Sequence, residues 1–305
     1  MGNKLTDLKT KTVAIIGAGP AGMAAALQLH RFGINTLLFE QPNQNSLLKN
    51  AWRVENYLGV YPGKSGIDLL KQFQINLVKS KIKKINAKVE ELNYSFKTKG
   101  FEIKTIGKVY YVDYVIVASG TKPKLLIKNP SAAISSKLFY DVFPLLKSRK
   151  KNILIIGAGD AAFDYALNLA KYNKVIICNR AKHSNALSFL INRALKHRNI
   201  TYFQDYKISD VFPVTAKKKL GCIFANQQKH VYIEADYVLI AVGRLPQKDF
   251  YMNKLHMIEK RLIREERLFL AGDVKNNIYR QVAIAVGDGV KVAMQIFHRL
   301  IKYES

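Results

Sequence analysis

The chain contains little cysteine. Of its 305 residues only two are cysteines, Cys178 and Cys222, and they stand 44 positions apart. Neither belongs to a C-x-x-C pair or to a cluster with metal-ligand spacing, so we expect two buried, reduced thiols. The six histidines are scattered as well, without the paired spacing of a zinc site. The sequence therefore predicts neither a disulfide framework nor a metal centre.

Long hydrophobic runs are also missing. No stretch of about eighteen consecutive apolar residues, the length that crosses a bilayer, occurs in the chain. The first residues, MGNKLTDLKTK, lack the apolar core of a secretion signal, and we expect the first ordered element to begin near Thr12. These features predict no membrane segment and a cytoplasmic location.

Acidic residues are scarce. The chain has 22 Asp and Glu against 49 Lys and Arg, a formal net charge of +27. Such a field attracts acidic proteins, nucleic acids or lipid surfaces. An equally weighted alternative is a compositional bias toward lysine, because the lysines are spread along the chain. No helix-turn-helix, aromatic stacking platform or concentrated basic arm is evident, so nucleic-acid binding is not expected.

A repeated motif dominates what is present. VAIIGAGPAGMAAA at 13–26 and ILIIGAGDAAFDYA at 153–166 are each a β-branched run that ends in G-x-G and continues with small residues. The first glycine of such a motif permits a tight turn, and the second lets the backbone approach a pyrophosphate at a helix N-terminus. Because a second strand follows each copy at a suitable distance, the sequence predicts two dinucleotide-binding sites.

The two copies differ at the end of their second strands. INTLLFE ends in Glu40, whose carboxylate can accept hydrogen bonds from the ribose hydroxyls of FAD or NAD. The second copy has Asn179 and Arg180 at the equivalent place and no acid. Arg180, helped by Lys182, would hold a 2′-phosphate that a carboxylate would repel, which favours NADPH over NADH. A solvated surface arginine is the alternative.

A second repeat predicts the domain organisation. VDYVIVASGTKPK and ADYVLIAVGRLPQ are near copies, each an apolar strand followed by glycine and proline. We expect them to carry the chain between two nucleotide domains, an FAD-binding domain of residues 1–118 and 246–305 and an inserted NAD(P)-binding domain of residues 119–245. The predicted fold class is α/β, with two Rossmann-like three-layer domains. FEIKTI with KVYYVD, and GCIFAN with HVYIEAD, are predicted to add antiparallel strands.

Together with VENYLG at 54–59, LFLAGDV at 268–274 and YRQVAIAVGDG at 279–289, these motifs resemble those of thioredoxin reductase-like flavoproteins. The resemblance implies FAD in the first site, with Asn56 near the isoalloxazine ring, Asp273 at the ribitol, and Gln281 and Val282 at the pyrimidine edge. A helix beginning near Gln281 would stabilise negative charge on the reduced ring. We predict no catalytic side chain. The candidate cofactor-binding residues are Gly17, Gly19, Pro20, Ala21, Gly22, Glu40, Asn56, Ala118, Gly120, Gly157, Gly159, Asp160, Ala161, Arg180, Lys182, Gly243, Gly272, Asp273, Gln281 and Val282.

One part of this resemblance fails. Thioredoxin reductases carry C-x-x-C followed by Asp just before the second glycine turn, and those positions fall here on Tyr140, Phe143 and Pro144. Without sulfur no mixed disulfide can form, so direct reduction of thioredoxin is not expected. KLFYDV and GAGDAAFDYALNLA, with Asp160 and Asp164, resemble instead the cysteine-free ferredoxin (or flavodoxin):NADP reductases of thioredoxin reductase type.

Three functions follow from these patterns. The first is an NADPH-dependent FAD enzyme that exchanges electrons with a small acidic redox protein such as ferredoxin or flavodoxin. The second is a diaphorase, or a reductase of quinones or other small molecules, and the third is a flavin-binding protein with a regulatory role. The resemblance also implies a homodimer and a rotation of the inserted domain about hinges near 120–123 and 243–246. Trp52 or Tyr57 could stack on the flavin, although packing in the core is the commoner role for such aromatics.

Overall fold

The computed structural model describes residues 11–42 and 46–302. The first element within these ranges is a strand that begins at Thr12, and the prediction that ordered structure begins near this residue concerns positions outside the described ranges. Within this part of the chain, none of the helices combines the length and the apolar character needed to span a membrane.

The first unit is built on a parallel five-stranded sheet. Its strands have the order β18-β7-β1-β2-β3, and their bounds are Thr12–Ile16 (β1), Asn35–Glu40 (β2), Lys84–Asn86 (β3), Tyr114–Val117 (β7) and Leu268–Leu270 (β18). The central strands are almost wholly buried, which is typical of parallel sheets covered on both faces. The last strand comes from the C-terminal part of the chain and pairs with β7.

Helices cover one face of this sheet. They are α1 (Pro20–Arg31), α2 (Gly66–Lys79) and α7 (Val282–Lys302), and they pack in one hydrophobic cluster with the sheet. Pro20 at the start of α1 needs no amide partner there. Glycine lets α1 and α7 approach closely, because a Cβ at Gly289 would lie 2.1 Å from the carbonyl oxygen of Ala21.

The other face carries an antiparallel layer and one helix. The strands are Val89–Ser95 (β4), Gly100–Thr105 (β5) and Lys108–Val112 (β6), and the helix is α6 (Asn253–Arg264). Strands β5 and β6 pair antiparallel, which confirms the predicted hairpin. Phe101, Ile103 and Leu262 of these elements lie in a second cluster against the sheet, so the unit has three layers.

The second unit repeats this plan. Its parallel sheet has the order β12-β11-β10-β16-β9, with bounds Leu138–Phe139 (β9), Asn152–Ile156 (β10), Lys174–Cys178 (β11), Ile200–Phe203 (β12) and Tyr237–Ile240 (β16). Helices α4 (Asp160–Leu169) and α5 (Ser188–Leu195) cover one face. The other face carries the antiparallel strands Lys207–Val214 (β13), Lys219–Ala225 (β14) and His230–Ala235 (β15). The pairing of β14 with β15 was predicted. A short helix, α3 (Ala132–Ser135), precedes β9.

Two short strands connect the units. The chain leaves the first unit through β8 (Thr121–Pro123) and returns through β17 (Arg244–Pro246), and these strands pair antiparallel. Both segments follow the apolar strands of the second sequence repeat. The fold class is therefore the predicted one, two Rossmann-like parallel sheets with helices, while the numerical domain boundaries remain a proposal.

Candidate functional site

The two glycine turns have the same geometry. The backbone φ is +111° at Gly17 and +115° at Gly157, in a region that favours glycine. A Cβ at Gly17 would lie 2.4 Å from the carbonyl oxygen of Ala118, and one at Gly157 would lie 2.3 Å from that of Ala241. Each turn therefore passes against the end of the neighbouring parallel strand at a distance that excludes any side chain.

The second glycine of each turn faces open space. The nearest atom to a Cβ at Gly19 would be the Ser46 hydroxyl oxygen at 3.9 Å, and a Cβ at Gly159 would meet nothing within 4 Å. Helices α1 and α4 begin at the next residue in each case. An exposed backbone at a helix N-terminus is the arrangement that binds a pyrophosphate, so both turns fit a dinucleotide.

Gly22 has a different role, within the protein. A Cβ there would lie 1.8 Å from the carbonyl oxygen of Gly17, so this residue allows α1 to pack against its own preceding turn. Gly120, Gly243 and Gly272 all have positive φ values, of 67°, 113° and 77°. The first two stand where β7 and β16 pass into the connecting strands, which are the segments expected to act as hinges.

A cavity of about 1050 Å³ lies between the two units. This volume is at the upper end of ordinary ligand sites. Most of the predicted cofactor residues line it: Gly17, Gly19, Pro20, Ala21, Glu40, Asn56, Ala118, Gly120, Asp160, Ala161, Gly272, Asp273, Gln281 and Val282. The start of α4 thus faces the same space as the start of α1. Four predicted residues do not line the cavity although they belong to the same motifs: Gly22, Gly157, Gly159 and Gly243.

Glu40 lies at the end of this cavity where the ribose carboxylate was expected. Its carboxylate forms an ion pair with the ammonium group of Lys84 from the adjacent strand β3. Both side chains are 28 % exposed, so the pair leaves a surface for hydroxyl groups. Lys84 therefore orients the Glu40 carboxylate, the group that the sequence predicts to accept hydrogen bonds from a ribose.

Asp273 lies in a turn that Asp288 holds in shape. Gly272 N–H and the Asn276 amide both donate to Asp288 Oδ2, at 3.0 and 2.6 Å, and the Lys275 ammonium lies 2.9 Å from its other oxygen. Burial raises the pKa of Asp273, while those hydrogen bonds outweigh burial and lower the pKa of Asp288. Asp288 is thus the positioning residue of the turn, a role that sequence reasoning missed although its motif had been noted.

Asn56 and Gln281 are joined directly. The Asn56 amide donates to Gln281 Oε1 at 2.8 Å, which ties the segment 54–59 to the start of α7. The two motifs that the family resemblance assigned to the flavin ring therefore meet in space at the cavity.

In the second unit, Asn179 shapes the loop that carries Arg180 and Lys182. Its side-chain amide donates to the backbone oxygen of His183 and to the Tyr202 hydroxyl, each at 3.1 Å, and its oxygen accepts from Ala181 N–H. Arg180 and Lys182 are exposed at the end of β11 and do not line the large cavity. Their role toward a 2′-phosphate stays a prediction.

Asp160 is engaged elsewhere in the same unit. Its Oδ1 accepts from Leu187 N–H at 2.8 Å, and so fixes the segment before α5 beside the second glycine turn. A neighbouring hydroxyl, that of Ser184, donates to the backbone oxygen of Ala158 at 2.6 Å. The loop after β11 is therefore attached to the turn at two points.

Asp164 connects the two units. The backbone N–H of Trp52 donates to its Oδ2 at 3.0 Å across 112 positions of sequence. Burial raises the pKa of Asp164 to about 6, with Glu55 adding to the rise and Trp52 N–H and Arg193 opposing it. Asp164 lines the cavity, and sequence comparison had noted it without a role.

A second connection between the units lies at residues 141–143, in the segment where the family resemblance predicts a dithiol that this sequence lacks. The Asn50 amide donates to Asp141 Oδ1 at 3.0 Å, and Phe143 N–H donates to Asn50 Oδ1 at 3.2 Å. Arg244 also donates to Asp141 Oδ1 at 3.0 Å from the connecting strand β17. Asp141, Phe143 and Pro144 line the cavity. Only their tertiary contacts reveal this cluster, since Asn50 and Arg244 lie far from Asp141 in sequence.

Neither cysteine lines the cavity. Cys178 and Cys222 are free and buried in the cluster between the second parallel sheet and its antiparallel layer. Burial raises the pKa of each thiol to about 12, so neither forms the thiolate that exchange chemistry requires. The structure therefore gives no substitute dithiol at the cavity.

Trp52 and Tyr57 do not line the cavity. Tyr57 packs edge-on against Phe73 in the core of the first unit, with 6.0 Å between ring centres. Trp52 packs against the hydrophobic cluster of the second unit. Both aromatic side chains therefore pack against hydrophobic clusters, which is the alternative to flavin stacking that the sequence analysis left open.

The repeated sheets, the paired glycine turns and the shared cavity define a protein with two nucleotide-binding units, one for each half of an electron-transfer reaction. Residues 11–289 match the family described as pyridine nucleotide-disulphide oxidoreductase, and the chain belongs to that family. It is an oxidoreductase whose cofactors are FAD and NADPH, which confirms the cofactor prediction.

Similar proteins cover nearly the whole chain. A "34.2 kDa protein in rubredoxin operon" from Clostridium pasteurianum is 24% identical over 95% of this chain and 97% of its own length. A thioredoxin reductase from Rickettsia typhi is 26% identical over 94% and 97%. The crystal structure of Lactococcus lactis thioredoxin reductase superposes with a TM-score of 0.84 at 24% identity, covering 96% of this chain and 99% of that one. These likenesses confirm the fold and the family resemblance.

Proposed function

We propose that the protein is an NADPH-dependent FAD enzyme that exchanges electrons with a small acidic redox protein, such as a ferredoxin or flavodoxin, without a redox-active disulfide. The observation that carries the proposal is the lining of the cavity. The resemblance to thioredoxin reductases puts the two sulfurs at Tyr140 and Phe143, where this chain has none. Asp141, Phe143 and Pro144 line the cavity, and neither cysteine does. An acceptor must then approach the flavin itself.

Two further observations support a protein acceptor. A one-electron carrier needs only to come close to the flavin. The net charge of +27 would speed the encounter of the enzyme with an acidic carrier. The Clostridium pasteurianum relative is named after a rubredoxin operon, which places that relative beside a small redox protein. We extend the association to this chain as a proposal.

When bound, the two cofactors supply hydride transfer from the nicotinamide to the flavin. The chain provides their placement. Both glycine turns bring a helix N-terminus to one cavity, the Asp288-held turn presents the Asp273 carboxylate, and Gln281 lies at the start of α7 beside Asn56. The N-terminus of α7 would stabilise negative charge that develops at the pyrimidine edge of the ring.

The preference for NADPH rests on the loop after β11. Among the described residues Arg180 and Lys182 form no ion pair, so both cations are free to meet a phosphate. Asn179, which replaces the ribose acid, is buried within the loop by its own hydrogen bonds. No carboxylate stands there to repel a 2′-phosphate.

The test is anaerobic reduction followed by mixing with carriers. NADPH should bleach the flavin faster than NADH, and the reduced enzyme should then reduce a ferredoxin or flavodoxin at a rate that falls steeply with added salt. Free FAD at the same concentration is the control. Turnover with quinones that is insensitive to salt, with no carrier reduced faster than by free flavin, would favour the diaphorase reading. A flavin that NADPH does not bleach would favour a regulatory role.

The domain boundaries, a homodimer and rotation of the inserted unit remain part of this proposal. Gly120 and Gly243, with positive φ beside the paired strands β8 and β17, are the positions where the backbone can change direction most easily. Small-angle scattering with and without NADP⁺ would show a change of shape if the rotation occurs.

A further inference from the structure

A second cavity, of about 480 Å³, borders both units and shares Ala51 and Arg53 with the lining of the larger one. The first unit contributes the segments 49–53 and 63–68, and the second contributes Leu146, Asn168 and Lys171. None of the cofactor-binding residues predicted from the sequence lines it. Its volume is within the range of small-molecule sites.

The lining of this cavity is strongly cationic. Lys49, Arg53, Lys64 and Lys171 face it, against the single carboxylate of Asp68. That carboxylate already accepts from the Ser65 hydroxyl at 2.7 Å and lies 3.7 Å from Lys71. Asp68 also interacts with Lys64, but its one negative charge leaves the four cations of the lining in excess.

Trp52 holds two of the cations together. The Arg53 guanidinium lies 4.6 Å from the centre of the indole ring and the Lys171 ammonium lies 4.8 Å from it. Neither forms an ion pair with any carboxylate in the described ranges 11–42 and 46–302. Burial, with repulsion from Arg53, lowers the pKa of Lys171. Like charges gathered around one aromatic ring favour a bound anion, because the anion offsets their mutual repulsion.

We propose that this cavity is a binding site for a small phosphate-bearing anion, held by Arg53 and Lys64 from the first unit and by Lys171 from the second. Arginine and lysine are the side chains that recognise phosphate oxygens. The ring faces of Trp52 are engaged by cations, so recognition rests on charge rather than on stacking of an aromatic ligand. Because the three cations come from two units, the bound anion would join them in the described arrangement.

The single tryptophan makes the site directly observable. Trp52 is the only tryptophan of the chain and lines this cavity, so tryptophan emission responds to binding there once the larger cavity is kept filled. We would titrate the FAD-loaded protein with inorganic pyrophosphate at constant ionic strength, in the presence of saturating NADP⁺ to fill the nucleotide site. The expected result is a saturable change in emission together with a higher melting temperature.

Lys171→Gln is the test variant and Lys174→Gln its matched control. Lys174 is an exposed lysine at the start of β11, three residues on and outside the cavity. Loss of one charge-assisted contact should raise the dissociation constant of Lys171→Gln about tenfold, while Lys174→Gln should bind like the wild type. The measurement needs neither an electron carrier nor NADPH oxidation, so its outcome is separate from that of the proposed function.

Three results would overturn the site. Emission that does not change with pyrophosphate in the wild type would show that no anion binds near Trp52. A response that Lys171→Gln retains in full, or that both variants lose equally, would show that general surface charge is responsible.

Discussion

The Asp164 carboxylate should lower the stability of the protein at neutral pH, and replacing it with asparagine should raise that stability. The side chain bridges the units through Trp52 N–H, and its pKa is raised from 3.8 to about 6, chiefly by burial. A carboxyl group whose pKa is higher in the folded state binds a proton more tightly there. Its contribution to stability is therefore fully present below about pH 4 and is lost as the pH rises through about 6.

The size of the effect follows from the two pKa values. Their difference corresponds to about 3 kcal/mol at pH 8. Asparagine keeps an oxygen that can accept from Trp52 N–H, and the raised pKa already includes the preference of that bond for the charged form. Asp164→Asn should therefore stabilise the protein by about 3 kcal/mol at pH 8, equivalent to about 5 °C in melting temperature for a chain of this length.

The assay is thermal unfolding of the FAD-loaded wild type and variant between pH 5 and pH 8. The gap between the two melting curves should widen as the pH rises, mostly below about pH 7. Asp160→Asn is the control, because it removes a carboxylate from the same end of α4, where the side chain is exposed. That variant should lose a small stabilisation from the helix dipole and weaken the hydrogen bond from Leu187 N–H, so it should be less stable than the wild type.

An Asp164→Asn protein that is less stable than the wild type at pH 8 would refute this reasoning. It would mean that the charged hydrogen bond to Trp52 outweighs the cost of burying the carboxylate. A gap that does not depend on pH would contradict the raised pKa itself.

Three other substitutions test the nucleotide sites. Gly157→Ala places a Cβ 2.3 Å from the Ala241 carbonyl oxygen at positive φ, so NADPH binding measured by titration should weaken at least tenfold while flavin content is unchanged. Arg180→Ala should raise the KM for NADPH about tenfold and leave the KM for NADH unchanged, since one charged contact to the 2′-phosphate is lost. Asp288→Asn removes the ion pair with Lys275 and weakens the turn it holds, so the purified protein should contain less FAD by absorbance.

Much of the fold could be predicted because both nucleotide-binding units are encoded by the same sequence motifs. The apolar strands, the glycine turns and the antiparallel hairpins are local patterns whose physical requirements can be read at each position. Gly17 and Gly157 show this most clearly, since the same turn requires the same φ and the same contact with a strand end in both copies. The family comparison confirms the fold and the cofactors, whereas the individual site residues stay predictions.

The contacts between the units could not be predicted in this way. Asn50 bonds to Asp141 and Phe143, and Trp52 bonds to Asp164, over separations of 91 to 112 positions. No local pattern marks these residues, because the partner of a bridging side chain is far away in the sequence. The two side chains become neighbours only when both units have folded and packed together. Arg244 is similar, since its partner Asp141 becomes a neighbour only through the pairing of β8 with β17.

Several of these bridging contacts hold residues 141–143, next to the positions where the resemblance to thioredoxin reductases puts a dithiol. A dithiol at 140 and 143 would have to move between the flavin and an outside partner, which requires a segment that can leave the cavity. Here Asn50 and Arg244 fasten that same segment through Asp141, and Phe143 and Pro144 face the cavity. A segment without sulfur cannot relay electrons by thiol–disulfide exchange. Under the proposed function, electrons would therefore leave from the flavin itself, and a carrier that accepts them through space is the partner that we propose.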